Sequence, residues 1–178
     1  MTDAPGPVAT HEAGHAVVAL VQGLWFHDVV MPGTLSADRS TGNLHGGIET
    51  VQADPNWTLD AELRVAVAGP LAERRVAVAD DYDERYEAHV AVFRPLLRFE
   101  GVDPGSSILD AAADVDRLLD EPAVWAAVVA VAARLEILGR LEALGVSEMV
   151  VREVGAGTYP IRSEPPTPGF EVRGVFDS

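Results

Sequence analysis

The first helical segment constrains this chain more than any other. From Val8 to about Gln22 the pattern is helical, Pro7 suits its first turn and Gly23 can cap it. Ala16, Val17, Val18, Ala19, Leu20 and Val21 make the segment apolar nearly all round. Helices of that kind are central and buried. Yet this one carries His11, Glu12 and His15, three side chains that are costly to bury without a purpose.

His11-Glu12-Ala13-Gly14-His15 is an H-E-x-x-H motif. Residues four apart share a helical face, so both imidazoles can meet one Zn²⁺ ion. Glu12 projects nearby without being a ligand and can move a proton to and from water. With 5 histidines in 178 residues, composition alone gives the motif at roughly 1%. The competing reading is a pair of exposed histidines at a helix start. The third ligand must come from elsewhere, because Val18 and Val21 stand where the extended motif has Gly and His. Glu62, Glu73 or an aspartate on a later helix are the candidates.

Composition narrows the setting. The 178 residues suit one domain, and 48% of them are apolar, enough for a sizeable core. There are 28 acidic residues against 13 basic ones, all arginine, for a net charge of -15. Such a surface repels nucleic acid and anionic lipid. The chain has no cysteine, which removes disulfides and thiolate metal sites. The longest apolar run, residues 123–133, is too short for a bilayer, which needs about 20 residues. The first residues lack the basic and apolar regions of a secretory signal. The expectation is a cytoplasmic protein without a membrane segment.

The rest of the chain reads as mainly α with a small β-element. A leader covers residues 1–7, a single domain residues 8–154, and a Pro/Gly-rich tail residues 155–178. Trp25 to Met31 and Gly42 to Val51 read as two short pairing strands. A helix begins at Thr58, with a kink or a break into two helices expected at Gly69-Pro70. An acidic patch (Asp80, Asp81, Asp83, Glu84, Glu87) opens a helical stretch to Phe99, with Pro95 as a kink. Ser106 or Ser107 caps the next helix, whose inner face is Ile108, Ala111, Ala112, Val115, Leu118 and Leu119. Pro122 starts a long helix to about Leu144, and Val146 to Val154 forms another. Glu73 reads as the salt-bridge partner of an arginine, His45 as a loop histidine and His27 as the end of the first helical region. His89 reads as solvent-facing or paired with a carboxylate.

Residues 10–19, Thr-His-Glu-Ala-Gly-His-Ala-Val-Val-Ala, resemble the zinc-binding helix of the FtsH peptidase family. Val29 to Gly33 resembles the strand that follows it, and Leu63 to Arg74 the second core helix with its Ala-Glu pair. Ser106-Ser107-Ile108 with Ala111 and Val115 resembles the helix that brings the third ligand. Trp125 to Leu144 and Val146 to Val151 resemble the closing helices. The likeness spans residues 8–154 and implies a zincin-like helical peptidase domain. It implies His11 and His15 as zinc ligands, Glu12 as catalytic base and an aspartate as third ligand. The family position holds Ser107, so Asp110, one turn on, is the choice, with Asp114, Asp103 and Glu73 as alternatives.

The family's ATPase module has no counterpart, since the chain lacks G-x-x-x-x-G-K-S/T and lysine altogether. The resemblance therefore implies a zinc metalloendopeptidase acting on peptides or unfolded proteins, as a homo-oligomer or beside a separate ATPase. An extended substrate would pair with the strand at Gly42 to Glu49. The alternative function is a non-catalytic binding or assembly module that retains the fold and the metal.

Overall fold

A computed structural model describes residues 4–32, 47–50, 57–77 and 82–164 of the chain. Asp80, Asp81, His45 and residues 165–178 of the expected tail lie outside the described residues. The order of elements is α1 (Pro7–Val21), β1 (Phe26–Val30), β2 (Gly47–Thr50), α2 (Leu59–Val76), α3 (Tyr82–Ala91), α4 (Phe93–Phe99), α5 (Pro104–Leu119), α6 (Pro122–Leu138), β3 (Arg140–Glu142) and α7 (Ala143–Val154). The protein is mainly helical with one small antiparallel sheet, as the sequence pattern predicts. No helix among the described residues is long and apolar enough to cross a membrane.

Helix α1 is the centre of the molecule. Ala13, Ala16, Val17, Val18, Ala19 and Leu20 are fully buried. Burial of each Val or Leu side chain contributes about 1.5–3 kcal/mol. Around α1 stand α2, α6 and α7, with β1 at its C-terminal end. The closest approach is to α2. A Cβ built on Gly14 would lie 2.7 Å from the Ala72 Cβ and 2.8 Å from the Ala68 carbonyl oxygen. Glycine at that motif position thus brings the two helix backbones together.

Helix α2 starts at Thr58, whose hydroxyl accepts from the Ala61 N–H at 3.2 Å. Asp60 and Glu62 in the first turn and Arg74 and Arg75 in the last complement the helix dipole. It runs as one helix through Gly69-Pro70 instead of dividing there. The following stretch does divide: Val92 separates α3 from α4. Pro95 then falls in the first turn of α4, where no intrahelical partner for its missing N–H is needed.

Strand β1 sits between β2 and β3, antiparallel to both. The first pairing matches the sequence expectation. The second does not, because residues 140–142 were expected to continue a helix from Pro122 to Leu144. Gly139 stops α6 in the left-handed conformation, φ 72°. Arg140 then bonds the buried Asp28 of β1, which fixes the turn onto the sheet. The cap of α5 also differs from expectation. Asp103 caps it, accepting from the Ser106 N–H at 2.8 Å, while Ser106 and Ser107 donate their hydroxyls to the Asp103 carbonyl oxygen.

Gly14→Ala tests the α1–α2 contact. Alanine is the better helix former by about 1 kcal/mol, but overpacking against Ala68 and Ala72 costs about 1–3 kcal/mol. Urea denaturation is expected to show a net loss of stability; a net gain would mean the helices stand farther apart.

Candidate metal centre

The motif histidines face α2 where that helix has no side chain. A Cβ on Gly69 would fall 2.3 Å from the His15 Nε2 and 2.8 Å from the His11 Cδ2. The notch at Gly69 is the space the two imidazoles occupy. The rings stand edge to face, with centroids 4.8 Å apart.

A third imidazole joins them. The His89 Nε2, on α3, lies 3.1 Å from the His11 Nε2, and the His15 Nε2 lies 3.1 Å from the same atom. The ligand atoms of all three residues fall within 4.8 Å of one another. His89 is half-buried against α1, and among the described residues it is not paired with a carboxylate. The sequence reading missed it. The available signal was helical periodicity: Tyr82, Tyr86, His89 and Val90 share one face of α3, and Val90 is buried.

The far side of each ring fixes its tautomer. His15 donates its Nδ1–H to the Val65 carbonyl oxygen at 2.7 Å. His89 donates its Nδ1–H to the Arg85 carbonyl oxygen at 2.8 Å. His11 donates its Nδ1–H to the Glu73 Oε2 at 2.9 Å. Carbonyl and carboxylate oxygens only accept, so the neutral rings carry their proton on Nδ1 and a lone pair on Nε2. The His11 Nε2 lone pair thus faces those of His15 and His89 at 3.1 Å each, a repulsive arrangement that a shared cation resolves. Two nitrogens bound tetrahedrally to zinc at about 2.0–2.1 Å stand roughly 3.3 Å apart. The separations and the donor chemistry therefore fit a divalent ion such as zinc.

Burial supports the same conclusion. It is the main cause pulling the His11 pKa down to about 3, with the nearby His89 and Arg85 charges adding to it. His15 is likewise held well below its ordinary value, mainly by burial and then by His11 and His89. Both rings are thus neutral and ready to coordinate. Glu73 uses both oxygens: its Oε1 accepts from the Arg85 guanidinium at 2.8 Å. It pairs with an arginine, as the sequence reading holds, and it also orients His11.

Glu12 is 4% exposed, and its Oε2 makes no hydrogen bond among the described residues. Burial, and then the charge of Glu73, push its pKa up to about 8.

The carboxylates considered as third ligands are placed elsewhere. Asp110 lies exposed on α5, outside the group formed by His11, His15 and His89. The α5 face toward the core is Ile108, Ala111, Val115 and Leu119, and Asp110 stands off that face. Asp114 binds Arg64 at 3.2 Å and also Arg117. Asp103 is the α5 cap. Glu62, half-buried on α2, is outside the convergent group as well. No protein-family model and no curated protein match this chain.

The Glu12 shift sets a pH dependence for the metal-free protein. Its ordinary value is 4.5 and its folded value about 8. A raised carboxyl pKa favours folding fully below 4.5, and that contribution is lost as pH rises through 8. In chelator, Glu12→Gln should match the parent in stability near pH 4 and exceed it at pH 9. Thermal denaturation at both values checks this; equal stabilities at pH 9 would place the carboxyl in water. Gly69→Ala is expected to weaken zinc binding at least about tenfold, since its methyl group would displace both motif imidazoles. Competition with a chromophoric chelator reads that loss.

Proposed function

We propose that the chain is a zinc-dependent metallopeptidase of the H-E-x-x-H type, with His11, His15 and His89 as the metal ligands. One observation carries the reading: Glu12 Oε2, a buried carboxyl oxygen with no hydrogen-bond partner among the described residues, adjoins His11 on the helix that supplies two of the three convergent imidazoles. A scaffold or binding domain gains nothing from an unpartnered buried carboxyl, which is costly to the fold. Proton transfer requires such a group, free of other bonds and with a pKa near neutrality.

Zinc bound there would supply Lewis acidity, acidifying water and polarising a carbonyl group. The chain's own residues do the rest. Glu12 takes a proton as water attacks and returns it to the leaving amine. Burial and Glu73 raise its pKa to about 8 without metal, and a bound cation would favour the ionised form that accepts the proton. Glu73 and Arg85 keep the His11 ring in one orientation, and Val65 does the same for His15. The notch at Gly69 keeps α2 out of the space between the rings.

Strand β2 is an edge of the sheet as described, the position from which a sheet takes up an extended peptide. That supports pairing of substrate with the strand around Gly47 to Glu49. Without a phosphate-binding loop, the substrates are peptides or already unfolded segments rather than folded proteins. The likeness to the FtsH peptidase helix supports the same chemistry, with a histidine in place of that family's aspartate.

The experiment is metal content and peptide cleavage on the same samples. The parent should hold about one zinc, and Glu12→Gln should keep it while losing activity by about 10²–10⁴-fold. His89→Ala should lose zinc, and Asp110→Asn should keep both zinc and activity. Zinc retained without cleavage in the parent would favour the binding-module function. Loss of zinc in Asp110→Asn but not in His89→Ala would overturn the ligand set.

A further inference from the structure

The third imidazole is carried by a helix that the hydrophobic core barely holds. Of the residues of α3, Val90 is the buried one; Tyr82, Arg85, Tyr86 and His89 are half-buried, and the remainder are exposed. The face turned to the core is therefore two phenols, a guanidinium, an imidazole and one valine. Helix α4 next to it differs, with Phe93 and Leu97 buried. Helix α1 differs more, being buried along most of its length.

Among the contacts that attach α3, beside the Glu87–Arg94 ion pair with α4, three polar ones reach α1 and α2. The Arg85 guanidinium binds the Glu73 Oε1 at 2.8 Å. The Arg74 guanidinium lies over the Tyr82 ring, 5.5 Å from its centre. The third is the meeting of the His89 and His11 Nε2 atoms at 3.1 Å. The first two are partly exposed, and such contacts add modestly to stability. When both rings are neutral, with their protons on Nδ1, the third sets lone pair against lone pair. A cation between them turns that repulsion into two bonds.

We infer that α3 is a metal-dependent clasp: zinc first meets His11 and His15 on the rigid α1, and α3 then closes over it by supplying His89. This rests on the metal reading of the site and adds a conformational consequence to it. His11 and His15 are four residues apart on a buried helix and keep their positions whether or not α3 is docked. Their Nδ1 partners, Val65 and Glu73, belong to α2, so both rings keep an α2 hydrogen bond when α3 is away, although Glu73 then lacks its contact with Arg85. The His89 Nδ1 partner is the Arg85 carbonyl of α3 itself, so His89 travels with its tautomer already fixed. Docking of α3 and metal occupancy are thereby linked, each favouring the other.

Hydrogen–deuterium exchange of the whole chain tests the clasp. Labelling is kept short, so that α1 and α5 amides are protected with and without metal. Peptides covering α3 are expected to exchange about tenfold or more slowly with zinc than in chelator, while α1 and α5 peptides stay unchanged. In a His89→Gln protein verified as folded by circular dichroism, zinc should no longer protect α3. The proposal is overturned if α3 is equally protected with and without zinc, or if zinc still protects it in His89→Gln. Zinc stoichiometry measured alongside separates the two levels. One bound zinc with unchanged α3 exchange overturns the clasp alone, and no bound zinc overturns the metal reading together with it.

Discussion

Everything at the centre of this protein follows from three imidazoles whose outward nitrogens are already engaged. Val65, Arg85 and Glu73 take the Nδ1 protons of His15, His89 and His11, so three Nε2 lone pairs converge. Each partner is an acceptor with no proton to offer, which leaves the rings a single neutral tautomer. A fold that assembles such a cluster in its interior, with α1 buried on almost every side, holds a possible metal-binding group of three histidines.

The scaffold is arranged to make that convergence possible. Gly14 lets α1 and α2 approach, and Gly69 leaves the gap into which both motif rings fit. The two glycines act at opposite ends of one problem: helices close enough to share a site, yet with room between them for the side chains that form it. The sheet and helices α6 and α7 bury the rest of α1 and hold it rigid. Only the third histidine comes from an element with little core of its own.

Much of this was legible in the sequence, and the reasons are local. The H-E-x-x-H spacing shows two imidazoles on one helical face, and the apolar surroundings show that the face is buried. Glu73 reads as the partner of an arginine, and that arginine is Arg85 on α3. His89 was not legible in the same way. It lies 78 residues from His11, within a helix whose charged residues read as a solvated face, and nothing in its spacing marks it as a ligand. The search for a carboxylate drew attention to α5 instead, where Asp110 turns away from the core. Strand β3 was hidden by the same apolar run that fills α6, although Gly139 marks the stop.

Long-range proton–nitrogen NMR of the histidine rings, recorded on the protein during a zinc titration, addresses the central claim most directly. The account predicts that His11, His15 and His89 all carry the proton on Nδ1. It predicts that their Nε2 resonances shift together as one equivalent of zinc is added, while His27 stays unmoved. A proton on the Nε2 of any of the three in the zinc-loaded protein, or a His89 resonance indifferent to zinc, would contradict it.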